Sequence, residues 1–328
     1  MGHYLVTGGA GFIGSHLSER LIKEGHRIIC FDDFSGLATS YNHKWDNIKS
    51  MLDNHSQYRL VQGDIREKGY LEIPFEQESI DVVIHLAAKT GVRPSVQDPV
   101  LHCKVNIIGT VHILQLCVKY HVKNLIFASS SSIYGNNPFI PFSEETKADL
   151  PLSPYAATKK AGENMCYAYH KLYGLNVVCL RLFTVYGPRQ RKEMAISLFT
   201  RQIYNDEKIT IFGDGENTRD YTYVDDIVDG FVRVLDHEGY KIYNIASSNP
   251  ISLSTLIALI EEKLEKKAKV DHSPMQPGEV NHTYADITKA TIKLGYSPKI
   301  SIEEGLTGYI DWYLNDELKR SKSKILGG

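Results

Sequence analysis

The chain lacks the features that mark secreted, membrane-bound and nucleic-acid-binding proteins. It has five cysteines among 328 residues, and none stands in a C-x-x-C spacing. Cys30, Cys103, Cys117, Cys166 and Cys179 each fall inside a strand or helix pattern. Buried free thiols in a reducing cytoplasm are therefore expected, not disulfides. No charge of one sign dominates: 37 basic against 39 acidic residues leave −2, which gives no electrostatic case for nucleic acid or an acidic membrane. No apolar run approaches membrane-spanning length. The segment from Met1 reaches a glycine loop at Gly8, so no secretory leader is expected. None of the 13 histidines sits in an H-E-x-x-H pattern, and no metal is expected. Repeats and low-complexity stretches are absent too.

What is present begins with that loop. Residues 3–7 read as a short buried strand, followed by Gly8-Gly9-Ala10-Gly11-Phe12-Ile13-Gly14 and an amphipathic helix to about Glu24. Glycines at 8, 11 and 14 let a backbone approach a pyrophosphate resting on the helix N-terminus. The next strand, Arg27–Phe31, ends in Asp32-Asp33, and Asp32 lies 24 residues after Gly8. A carboxylate there accepts from ribose hydroxyls and repels a 2′-phosphate, which favours NAD over NADP. Residues 58–65 read as another strand ending in a polar turn, where Asp64 can accept from an adenine amino group while Ile65 packs on the ring. Strand 80–85 runs into Leu86-Ala87-Ala88, small enough at the end for a cofactor to lie close. A long helical pattern over 98–121 has an apolar stripe wider than one face needs, part of it suited to a subunit interface.

Strand 124–128 leads into Ser129-Ser130-Ser131-Ser132, four hydroxyls that make a poor core and a good sugar shelf. A helix follows, with Ser153 as its cap, Pro154 in its first turn and Gly174 as its stop. It places Tyr155 and Lys159 four apart on one face. A phenol alone is a poor base at neutral pH, and a neighbouring ammonium is expected to lower its pKa. The pair reads as a tuned acid/base. After strand 176–183 the βα alternation gives way to basic loops, so a smaller substrate region is expected from residue 181 to 328. Within it, 225–247 is expected to return to the main sheet. The expected fold is α/β: a Rossmann-type doubly wound parallel sheet over 1–180 with a smaller C-terminal α/β substrate domain.

Together, the glycine loop, Asp32, the serine run, Tyr155/Lys159, the segment Gly213–Tyr221 and the loop Pro277-Gly278-Glu279 resemble the extended short-chain dehydrogenase/reductases. The likeness is to their nucleotide-sugar epimerases and dehydratases, and it covers nearly the whole chain. It implies a UDP-sugar substrate and a homodimer built on paired helices. It also implies that Lys159 holds the nicotinamide ribose and that Ser130 or Ser132 fills the family's catalytic Ser/Thr place. Arg219 resembles its diphosphate-binding arginine, and Glu279 an acid holding the uridine ribose. Arg93 lies where it can line the substrate mouth or stay on the surface.

Related dehydratases and decarboxylases carry an acid in the turn before their Tyr-Gly pair. Here the turn is Ser131-Ser132-Ile133-Tyr134-Gly135, without a carboxylate. The expectation is therefore a 4-epimerase: hydride leaves C4, the 4-keto sugar turns over, and hydride returns to its other face. Thr184, Arg191 and Met194-Ala195 look most like UDP-glucuronate 4-epimerases. Arg191 and Thr184 would hold the uronate carboxylate, which needs a charged partner when buried. The alternatives are 4-epimerases of UDP-N-acetylglucosamine or UDP-glucose, a UDP-glucuronate decarboxylase, and a non-catalytic NAD-binding regulator.

Overall fold

The computed structural model describes residues 1–35, 40–274 and 280–317. The first part alternates strands with helices: β1 (His3–Thr7), α1 (Phe12–Lys23), β2 (Arg27–Asp32), α2 (Ser40–Asn54), β3 (Tyr58–Gln62), α3 (Lys68–Gln77) and β4 (Val82–His85). It continues through α4 (Val92–Gln97), α5 (Pro99–Cys103), α6 (Thr110–Lys119), β5 (Asn124–Ser130), α7 (Pro154–Tyr173) and β6 (Asn176–Leu182). Then come β7 (Thr184–Tyr186), α8 (Ala195–Tyr204), β8 (Lys208–Phe212), β9 (Thr218–Tyr223), α9 (Val224–Val232) and β10 (Tyr240–Ile245). The last elements are β11 (Pro250–Ser252), α10 (Leu253–Leu264), β12 (Lys269–Ser273), α11 (Thr288–Leu294) and α12 (Ile302–Trp312).

Seven strands form one parallel sheet in the order β10-β6-β5-β4-β1-β2-β3. Because helices cover both faces, its strands are apolar on both sides, and successive residues enter opposite cores. Tyr4 and Val6 pack with Ile28, Cys30, Ile84 and Ile126 on one face. Leu5 packs with Ile29, Phe31, Val83 and Leu125 on the other. β10 pairs with β6, so this strand does return to the main sheet. The remaining strands form a three-stranded sheet, β11-β9-β7, and a pair, β12-β8. A separate core joins this region, including Ile196, Phe199, Leu256, Ile260, Leu306 and Tyr309.

Three expectations need correction. The helical pattern over 98–121 is not one regular helix: Lys104–Gly109 between α5 and α6 is a π-helical stretch. That run, Pro99–Lys119, is also long and apolar enough by length and composition to cross a membrane, and much of it is buried inside the protein. The cysteines are free, but Cys103 is exposed while the other four are buried.

Candidate active site

A cavity of about 980 Å³ lies along the C-terminal ends of the main-sheet strands. It spans the crevice between β1 and β4, where strand order reverses, the position at which open α/β sheets bind ligands. Gly8, Gly11, Phe12, Ile13 and Gly14 form one wall. A Cβ at Gly14 would come within 2.4 Å of the Gly8 carbonyl, and one at Gly8 within 2.8 Å of the Ala87 amide. Gly8 also has φ +71°, which glycine adopts freely. No side chain caps the N-terminus of α1. Its first-turn amides and positive dipole end therefore suit an anionic ligand. These are the properties that a dinucleotide pyrophosphate requires, and the cradle fits NAD.

Asp32, Asp64, Ile65, Leu86, Ala87 and Ala88 line the same cavity. The Asp32 carboxylate accepts from the amides of Ala10 at 3.2 Å and Phe34 at 2.9 Å. It also accepts from Lys44 Nζ at 2.8 Å. Lys44 escaped the sequence reading, because nothing in a polar helix pattern distinguishes it. Burial works to raise the Asp64 carboxyl, but hydrogen bonds and charge from Arg66 hold it below its ordinary value.

Ser153 caps α7 by accepting from the Ala156 amide at 3.2 Å, and Gly174 closes the helix in the left-handed conformation. Tyr155 and Lys159 thus face the cavity from one side of α7. Ser130 faces it from the end of β5, on the Tyr155 side, where its hydroxyl favours the phenolate. Ser132 does not line the cavity; its hydroxyl donates to Ser130 Oγ at 3.0 Å. The geometry therefore sets Ser130 beside Tyr155 and Ser132 behind it.

The tuning of Tyr155 differs from the expectation. Burial pushes the phenol above its ordinary value, while Ser130 and the positive charge of Arg191 work in the opposite direction. Lys159 Nζ donates to the Ala128 carbonyl at 2.7 Å, and burial lowers it to about 8.

Thr184 and Arg191 line the far end of the cavity. Arg191 is paired with Glu193 at 3.2 Å and remains partly exposed. Neighbouring Arg189 also lines the cavity, and pairs with Glu19 on α1 at 2.7 Å. Arg93 and Arg219 are not brought into this wall. Arg93 lies on the surface over the Phe212 ring, and Arg219 donates to the carbonyls of Thr218 and Asn281. Glu279 lies outside the described residues.

Two further polar residues went unread. Asn106, in the π-helical stretch, accepts from the Lys89 amide and donates to the Lys89 carbonyl and to Thr158. It ties the loop after β4 to α7 beside Lys159. Thr110 donates to the Asn106 carbonyl, so it must accept from His85 Nε2–H. His85 Nδ1 then accepts from Thr7. A lone asparagine in an apolar stripe and a lone histidine ending an apolar strand were the signals available. Among the described residues no cluster of three or more histidine, cysteine or acidic side chains could hold a metal.

Residues 5–308 match the GDP-mannose 4,6 dehydratase family. A UDP-glucuronate 4-epimerase of Thermodesulfobacterium geofontis is 44% identical over 95% of this chain and 96% of its own length. The crystal structure of a Bacillus cereus UDP-glucuronic acid 4-epimerase, in complex with UDP-glucuronic acid and NAD, is 39% identical, with a TM-score of 0.88 over 94% of this chain and 98% of that one. A Thermotoga maritima UDP-glucose 4-epimerase solved with UDP-glucose is 33% identical, with a TM-score of 0.87 over 95% and 98%. Sequence and architecture agree from β1 to α12, and the chain belongs to the GDP-mannose 4,6 dehydratase family.

Proposed function

We propose that this chain is an NAD-dependent UDP-sugar 4-epimerase, and that its preferred reaction is UDP-glucuronate to UDP-galacturonate. The observation that carries the reading is the meeting of Tyr155, Ser130 and Arg191 at one end of a cavity whose other end is a dinucleotide cradle. Gly8, Gly11 and Gly14 would hold the pyrophosphate, Asp32 with Lys44 the adenosine ribose, Asp64 and Ile65 the adenine, and Lys159 the nicotinamide ribose. The bound nicotinamide supplies the site that accepts a hydride from C4 and gives it back. Tyr155 takes the C4-hydroxyl proton with Ser130 as its hydrogen-bonding neighbour, and returns it when the 4-keto sugar has turned over.

Arg191 favours the uronate because a carboxylate entering a partly desolvated site needs a cation. It also has a chemical role to play: the 4-keto uronate is a β-keto acid, and a carboxylate held out of line with the carbonyl π system keeps its CO2. The Thr184 hydroxyl would share that carboxylate. We assign cofactor binding to residues 1–180 with 225–247, and the sugar nucleotide to 181–328. Arg219 and Glu279 are assigned to its diphosphate and uridine ribose, and Arg93 to its mouth.

The protein is proposed to work as a homodimer in the cytoplasm, with no membrane or nucleic-acid partner. Exposed Val96, Val100 and Ile108 on the α4–α6 run, with Tyr167 and Leu172 on α7, supply an apolar surface for a second copy. Incubation with UDP-glucuronate, without added NAD and followed by proton NMR, tests the reaction. A galacturonate anomeric signal approaching equilibrium is expected. A pentose product with CO2 would make the chain a decarboxylase. Turnover of UDP-glucose or UDP-N-acetylglucosamine alone would move the specificity to neutral sugars.

A further inference from the structure

Behind the serine shelf lies a buried ion pair that the proposed reaction does not use. The Ser129 hydroxyl donates to Glu163 Oε1 at 2.7 Å. Arg181 grips the same carboxylate with two parallel bonds, Nε to Oε1 and Nη2 to Oε2, both at 2.9 Å. Ser129, Glu163 and Arg181 are all at least 96% buried. Glu163 follows Lys159 by four residues and Tyr155 by eight, so one face of α7 presents all three. Arg181 is the register partner of Ser129 across β5 and β6. Its remaining nitrogen, Nη1, donates to the Tyr134 hydroxyl at 2.8 Å, and Tyr134 donates onward to Asn244 at 2.7 Å. The turn from Ser129 to Tyr134 is thereby pinned at both ends, with Ser130 inside it.

We infer that Glu163, clamped by Arg181, is a positioning residue: it fixes Ser129 and so aims the Ser130 hydroxyl at the Tyr155 phenol. The inference rests on the reading of Tyr155 and Ser130 as the reacting pair. Stability alone is a weak reason for this arrangement. A buried ion pair is about matched by well-packed apolar side chains, because two charges must be stripped of water. A bidentate pair does fix angles, which apolar packing does not. The fixed carboxylate oxygen is the one that holds the residue before Ser130.

The test is Ser129→Ala beside Ser129→Thr. The first removes one hydroxyl and leaves the ion pair whole; the second keeps the hydroxyl. Ser129→Ala is expected to lower kcat about tenfold with KM nearly unchanged, as a misaimed reacting group does. It is also expected to move the ionisation of Tyr155 to higher pH, since the Ser130 hydrogen bond is an influence that lowers it. Ser129→Thr is expected to restore both. Tyr155 ionisation is read as the ultraviolet difference between each protein and its Tyr155→Phe counterpart, without substrate. That readout decides the inference even where no epimerisation is seen, and the failure of the reaction assignment is then read separately from the parent protein. Unchanged Tyr155 ionisation and unchanged kcat in Ser129→Ala, at an unchanged melting temperature, would overturn the positioning role.

Discussion

Tyr155 is held where its surroundings oppose its ionisation. Burial raises the phenol, and Ser130 and the charge of Arg191 work against it. Tyr155→Phe removes only the hydroxyl. It is expected to lower kcat by roughly 10²–10⁴-fold while leaving the melting temperature alone, which steady-state kinetics and calorimetry would check. Arg191→Ala asks a different question. If the guanidinium takes the uronate carboxylate, kcat/KM for UDP-glucuronate falls by about ten- to a hundredfold, the worth of one charged hydrogen bond. Activity on UDP-glucose should change little, and some CO2 should appear. Equal losses on both sugars would remove the carboxylate role. The Tyr/Lys spacing was legible in the sequence, but its tuning was not, because the Ala128 carbonyl that holds Lys159 belongs to β5, 31 residues away in the chain.

At the scale of elements, α7 carries the chemistry and β5 sets its distance. Gly162 lets the two approach: a Cβ there would lie 2.4 Å from the ring of the buried Phe127. Gly162→Ala must therefore push α7 away from β5. It is expected to cost about 1–3 kcal/mol by overpacking, despite alanine's better helix propensity. It should also lower kcat by moving Tyr155 from Ser130. A variant as stable and active as the parent would mean that this contact does not set the spacing. The π-helical stretch has a comparable part, because it turns Asn106 toward Lys89 and Thr158. A stripe of apolar residues predicts a helix but not a local change in its winding. Asn106 could be seen in the sequence only as a polar interruption.

For the whole molecule, acid should weaken the fold through His85. Burial brings its pKa down to about 3 from the ordinary 6.5. Below pH 6.5 the unfolded chain takes up a proton that the folded one refuses. The contribution is therefore intact above 6.5, falls as pH drops, and is lost fully near 3. By about pH 4 the loss is about 3 kcal/mol. His85→Gln starts less stable at neutral pH but should lose less between neutral pH and about pH 4, as urea midpoints would show. An equal loss in both proteins would clear His85. At the same scale, Val100→Glu with Ile108→Glu is expected to give a monomer by sedimentation if those residues meet a second copy.

Most elements of this protein, and much of its chemistry, can be read from local sequence. Apolar runs, the glycines of 8–14, the Ser153–Pro154 start of α7 and the Tyr155/Lys159 spacing are local signals. They act over one turn or one strand, where backbone geometry leaves few choices. The tertiary structure decided which of the candidates meet. It put Ser130 beside Tyr155 and Ser132 behind it, and at the cavity wall it paired Arg189 with Glu19 and Arg191 with Glu193. It also closed the Ser129–Glu163–Arg181 network from residues on β5, α7 and β6. Those outcomes depend on distances between segments far apart in the chain, which only the packing of sheet and helices sets.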